Sequence, residues 1–93
     1  MAQIVQTDNR WILSGDVVIQ TASDILKASQ VFTISENTTI DFAQVEDIDT
    51  TAVSLILEWK RRATRESQSL TFVNLPDNLT SLVQLYDVAE LIN

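Results

Sequence analysis

Apolar residues recur along this chain in two alternating rhythms. Ile4 and Val5 in QIVQT, then Trp11, Ile12 and Leu13 in RWILSG, form short β-branched and aromatic stretches on either side of the polar pair Asp8-Asn9, which predicts a hairpin of two strands. Beyond Gly15, TASDILKASQV sets Ala22, Ile25, Leu26 and Ser29 at helical spacing, with Thr21 or Ser23 available as a cap. A first helix is expected from about Thr21 to Gln30. TTIDF then places Ile40 and Phe42 two apart on one face, as in a half-buried strand. In the next helix Ala52, Leu55, Ile56, Trp59 and Ala63 recur every three or four residues and make one stripe that faces a sheet. SLTFVNL predicts another strand, and PDNLTSLVQLY a last helix with Pro76 at its start and Leu79, Leu82, Val83 and Tyr86 on one face. The tail DVAELIN keeps apolar Val88, Leu91 and Ile92. No repeat, linker or low-complexity segment breaks the order β-β-α-β-α-β-α. That order predicts an α/β fold, a four-stranded mixed β-sheet with right-handed crossovers and about three helices packed mainly on one face.

Composition narrows the chemistry. Ninety-three residues of 45% hydrophobic content are expected to form a single domain over residues 1–93, with one core and one site or surface. Thirteen acids against six bases give a net charge of -7, which disfavours nucleic acid phosphates and anionic membrane surfaces and suits a basic protein partner. The sequence has no Cys and no His, so thiol and imidazole nucleophile systems, the common zinc sites and disulfides are excluded. Gly15 is the sole glycine, too few for a P-loop or a dinucleotide fingerprint. No cofactor or metal is expected. MAQIVQTDNR lacks a basic start followed by an apolar stretch, and no run reaches the ~18 apolar residues of a membrane span, so a cytoplasmic protein without direct membrane insertion is expected.

The candidate chemistry gathers in DIDTTAV. Asp49, Thr50 and Thr51 stand where the third strand gives way to the second helix, and any of them suits a helix N-cap. One cap needs one residue, so at least one side chain is left for a partner, and Thr50 is the choice for it. At ~100° per residue, Val53 and Leu57 fall to one side of the apolar stripe, next to Ser54 and Arg61 and below Thr50. Val53 lies nearer the core, and Leu57, pointing further out, is the better apolar anchor for an interface. Glu46, Asp47 and Asp49 do not make a convincing metal cluster, because the first two are adjacent in an expected loop without a glycine turn around them. Asp41, if buried in the central strand, must find a hydrogen-bond donor. Trp11 and Trp59 read as core, and Lys60, Arg61, Arg62 and Arg65 as a solvated helix end whose cations suit the helix dipole.

These segments together resemble a STAS domain, the fold of anti-sigma-factor antagonists and of the small subunit of Mla-type phospholipid ABC transporters. The resemblance spans nearly the whole chain. It is carried by TTIDFAQVEDIDTTAVSLIL, with Asp41 and Asp49 at the family's acidic places, by SGDVVIQTA, with Gly15, Asp16, Thr21 and Ala22, and by the ending LVQLYDVAELI. Val18 stands where the family often has a second acid, and Ala52 where a glycine usually follows the hydroxyl pair. In the antagonists the hydroxyl at the Thr50 position is phosphorylated by a partner kinase. In the Mla-type subunit that position lies at the contact with the transporter ATPase. The short chain and the two departures place it nearer the Mla-type subunit.

The resemblance therefore implies a non-enzymatic accessory subunit that binds and tunes the cytoplasmic ATPase of a phospholipid-trafficking transporter, peripheral at the inner membrane through that partner. Thr50, Thr51, Asp49, Val53, Ser54, Leu57, Arg61 and Asp16 are its expected contact residues. The alternative is an anti-sigma-factor antagonist, partnered by an anti-sigma kinase and switched by phosphorylation of Thr50.

Overall fold

The computed structural model describes residues 2–85. Its elements are β1 (Gln3–Thr7), β2 (Arg10–Val17), α1 (Ile19–Ser29), β3 (Thr38–Ile48), α2 (Thr51–Arg65), β4 (Leu70–Val73) and α3 (Asp77–Leu85). The expected helical position of Tyr86 and the apolar tail Val88, Leu91 and Ile92 lie outside the described residues.

The sheet order is β1-β2-β3-β4, with β1 antiparallel to β2 and the other two pairings parallel. It is the expected four-stranded mixed sheet with three helices. A two-residue turn closes the hairpin, and Asp8 takes φ 54°, a left-handed conformation that a short polar side chain tolerates. Asn9 joins this turn to the entry of β3: its carbonyl accepts the Thr39 N–H at 2.9 Å and its amide donates to the Asn37 carbonyl at 3.2 Å.

Alternation along the strands decides which face is covered. Trp11, Leu13 and Val17 of β2, Ile40 and Phe42 of β3, and Leu70 and Phe72 of β4 are buried on the helix side. Ile25 of α1, Ala52, Leu55, Ile56, Trp59 and Ala63 of α2, and Leu79 and Val83 of α3 close over them. The opposite face carries polar groups. There Asp41 is partly buried, and it has three donors: Arg10 at 3.0 Å, Asn74 at 3.0 Å and the Ala43 N–H at 2.8 Å.

Two of the boundaries that differ from the sequence expectation bear on the site. Strand β3 does not stop at Phe42 but runs to Ile48, so Glu46 and Asp47 lie in its last turns of pleat and not in a loop. Its pairing with β2 slips between Ile12 and Ser14 and again between Gly15 and Val17, so that β3 carries an extra residue at each place. The bulges change the inward period, which leaves Val45 and Ile48, three apart, as the half-buried positions and hides the strand from a period-of-two reading. Gly15 takes φ 79° at this irregular stretch, a conformation in which a Cβ would clash. Helix α1 begins at Ile19, two residues before its expected start.

Candidate functional site

The first turns of α1 and α2 meet beyond the ends of β2 and β3, and Asp49 joins them. The Asp49 N–H donates to the Val17 carbonyl at 3.3 Å, which holds the end of β3 against the end of β2. Its carboxylate then serves both helices. Oδ1 accepts the Thr51 N–H at 2.8 Å and also the Thr51 hydroxyl, while Oδ2 accepts the Ile19 N–H of α1 at 3.0 Å. An N-cap satisfies amides that have no partner within the helix, and Asp49 does this for its own helix and for a neighbouring one. The Thr51 hydroxyl, followed by these amides, holds the Asp49 carboxyl below its ordinary value against the opposing effect of burial.

Helix α1 needs that help. Val18, in its capping position, has extended backbone and no side-chain acceptor. Thr21 supplies part of a capping box: its hydroxyl accepts the Val18 N–H at 3.1 Å and donates to the Asp16 carbonyl at 2.7 Å.

Because Asp49 caps α2, Thr50 does not. Thr50 already has helical backbone, φ -63° and ψ -19°, and its side chain makes no capping hydrogen bond. It is exposed, and its hydroxyl makes no hydrogen bond among the described residues. Thr51 is half-buried and committed to Asp49.

From Thr50 an outward row descends α2 through Ser54, Leu57 and Arg61, at helical spacings of four, three and four residues. Ser54 and Arg61 are exposed, and Arg61 pairs with Glu58 at 3.0 Å. Leu57 is half-buried, packed against the margin of the core. Val53 leaves the expected surface: it is 5% exposed and belongs to the core, because α3 packs beside α2 and widens the arc of that helix that is covered. Asp16 is exposed at the end of β2, at the same end of the sheet as the Asp49 junction. On the α1 side, Ala22, Ser23 and Leu26 face Thr51, Ser54 and Leu55 across a shallow groove.

Two contributions were missed from sequence. Ile19 is 67% exposed beside the Asp49 junction, although it sits in the apolar run VVI, before the expected start of the first helix. Its spacing to Ala22 and Leu26, three and seven residues, was the available signal. Arg62, read as part of a solvated cluster, turns inward instead. It donates to the Ser29 carbonyl at 2.9 Å and to the Phe32 carbonyl, pairs with Glu66 at 3.0 Å and lies 5.7 Å over the Trp11 ring.

Among the described residues, no three His, Cys, Asp or Glu side chains come together to hold a metal ion, and no helix is long and apolar enough to cross a membrane.

Comparison with known proteins agrees with this geometry. Among solved structures, the chain is similar to the anti-sigma factor antagonist SpoIIAA in its unphosphorylated form, with TM-score 0.74 and 14% identity over 97% of this chain and 84% of that one. It is also similar to the Bacillus cell fate determinant SpoIIAA in the phosphorylated form, with TM-score 0.67 and 12% identity over 97% and 86% of the two chains. A third similarity, to Mglu, has TM-score 0.61 and 20% identity and covers 81% of this chain but 20% of that one. At these identities the likeness is one of fold. No curated protein matches the sequence. The family model described as the Mlab STAS domain matches residues 5–93. With nearly the whole length matched, and the sheet order and the helices on one face as that fold has them, the chain belongs to the STAS domain family.

Proposed function

We propose that this protein is a non-catalytic accessory subunit that docks on the cytoplasmic ATPase of a phospholipid-trafficking ABC transporter and stabilises its active dimer. The observation that carries the reading is the Thr50 hydroxyl, exposed and without a hydrogen bond among the described residues, at the head of the row Thr50-Ser54-Leu57-Arg61 because Asp49 has taken over the capping. A residue released from a structural task, on a backbone fixed by hydrogen bonds to two helices, presents a preformed contact whose ordering costs little on binding. The family model, described as the Mlab STAS domain, favours this class of partner. The contact would be rigid and away from the nucleotide, and the protein would reach the inner membrane only through its partner. Replacing Thr50 with Arg puts a long cation at the centre of the contact. Loss of co-purification with the ATPase and a lower ATPase rate are expected, and unchanged binding and rate remove this surface.

A second reading is an anti-sigma-factor antagonist switched at Thr50. The same exposed hydroxyl favours it, since a kinase needs an exposed acceptor, and the fold is that of an antagonist solved with and without phosphate. A phosphate at Thr50 adds about two negative charges beside Asp49, at the acidic end of the sheet, which a close interface would reject. Mass spectrometry of protein from its own cells separates the readings: stoichiometric phosphate on Thr50 favours the switch, and its absence under all growth conditions counts against it.

A further inference from the structure

We propose that Ile19 is the apolar anchor of the docking surface, and that the partner presents to it an apolar socket rimmed by lysine and arginine side chains. The inference rests on the reading that this surface binds the transporter ATPase. Among the described residues four large apolar side chains are exposed: Val5 at 48%, Ile19 at 67%, Val31 at 83% and Leu85 at 74%. Val5 is in the edge strand, Val31 follows the end of α1, and Leu85 is the last described residue. Leu85 borders the Asp49–Thr50 junction from α3, across a shallow pocket, but Ile19 is the one bonded to it, its N–H donating to Asp49 Oδ2 at 3.0 Å.

Its exposure has a definite origin. Ile19 continues the ridge of Ala22 and Leu26 on α1. Those two are half-buried, lining the groove shared with Thr51, Ser54 and Leu55 of α2. Ile19 stands one turn nearer the start of α1 and lacks that cover. Its backbone is nonetheless fixed, as the first helical residue with its N–H bonded to Asp49, and a β-branched side chain in a helix has little rotamer freedom to lose. An exposed apolar side chain on a rigid backbone, continuous with an apolar groove, is the form of an interface hot spot.

Charge defines what surrounds it. Asp16 ends β2, Glu46 and Asp47 end β3, and Asp49 follows, all at one end of the sheet because Gly15 pairs with Val45 and Val17 with Ile48. Neither residues 11–26 nor residues 43–59 contain a Lys or Arg. Arg61, at the far end of the groove, is paired with Glu58, and an apolar side chain bordered by these carboxylates fits a socket whose rim is cationic.

The experiment measures the affinity of the full chain for the purified ATPase of the phospholipid transporter at low and high salt, with Ile19→Ala, Ile19→Thr and Thr50→Arg variants. Ile19→Ala is expected to weaken binding about 10- to 30-fold, within the range of interface hot spots. Ile19→Thr, which keeps the branched shape but loses apolar surface, is expected to weaken it similarly, and both should melt as the parent does. Salt is expected to weaken the parent and the Ile19 variants by the same factor. Parental affinity in Ile19→Ala, with binding abolished in Thr50→Arg, overturns the anchor and leaves the surface standing. Parental affinity in Thr50→Arg, or no binding by the parent, removes the surface and the anchor with it. Binding indifferent to salt overturns the cationic rim.

Discussion

The Asp49 carboxylate accepts hydrogen bonds from the first turns of two helices, so one side chain fixes where α1 and α2 begin relative to each other. Removing it takes the cap from both. Asp49→Ala is expected to destabilise the fold by about 2 kcal/mol, the upper part of the range for a single cap, measured as a lower midpoint of denaturant unfolding. Asp49→Asn keeps one carbonyl oxygen and should lose less. Neighbouring Thr50, with no such bond, should tolerate Ala with little change in stability, which separates a structural residue from a contact residue one position apart. The sequence offered three equivalent capping candidates here. The choice among them followed from the reach of Asp49 across to Ile19, thirty residues away in the chain, which no local pattern contains.

Within α2, the helix has three sides with different tasks. Its inner stripe of Ala52, Ile56, Trp59 and Ala63 was legible from spacing, and all four are buried. Its outer row runs from Thr50 to Arg61. The side towards α1 holds an arrangement the charge pattern concealed: Trp59 Nε1 donates to the buried Ser29 hydroxyl at 2.9 Å, and Arg62 donates to the Ser29 and Phe32 carbonyls at the end of α1. Trp11 packs edge-on against Trp59, with centroids 5.9 Å apart, and against Phe32 at 5.2 Å, beneath the Arg62 guanidinium. Arg62→Met keeps the apolar stem but leaves those carbonyls without their donor and removes the cation from the Trp11 ring. A loss of about 2 to 3 kcal/mol is expected. Arg62→Lys should restore part of it, since an ammonium keeps the charge but not the two-pronged geometry. Arg61→Ala, at an exposed pair, is expected to change stability by less than about 1 kcal/mol in the same measurement. Sequence shows four cations in a row on one helix end. Which of them turns inward depends on where α1 ends.

Across the whole molecule, two carboxylates brace the sheet and its helices from different sides. Asp49 joins the helix starts, and Asp41 joins β2, β3 and the end of β4 on the open face through Arg10, the Ala43 N–H and Asn74. The Asn74 amide first, then the Ala43 N–H and the Arg10 guanidinium, hold the Asp41 carboxyl below its ordinary value despite partial burial. For both groups the folded value lies below the unfolded one. Their stabilisation is therefore complete at neutral pH and is lost as the pH falls from the ordinary 3.8 through the depressed folded values. Unfolding free energy measured against pH should decline in that acidic range, and the decline should be shallower in Asp49→Asn, which has no proton to take up. Charge is also divided along the molecule: acids gather where β2 and β3 end, and Lys60, Arg61, Arg62 and Arg65 lie at the far end of α2. The proposed docking row runs from the acidic end to Arg61, the first of these bases it meets, which is paired with Glu58 at 3.0 Å.

Hydrophobic spacing alone determined the order of elements, the mixed sheet and the buried stripe of α2, because burial of one face imposes a period of two on strands and 3.6 on helices. Tertiary structure decided the rest. The bulged continuation of β3 depended on the edge that β2 offers, and bulges destroy the period by which a strand is read. The burial of Val53 depended on α3 lying beside α2, and the inward turn of Arg62 on two carbonyls left open at the end of α1. The release of Thr50 followed from Asp49 capping α2, and the Asp49 bond to the Ile19 N–H fixes an exposed Ile19 beside it. Periodicity reports which face of one element is covered, whereas a site between two elements depends on their relative placement, and only the folded chain contains that.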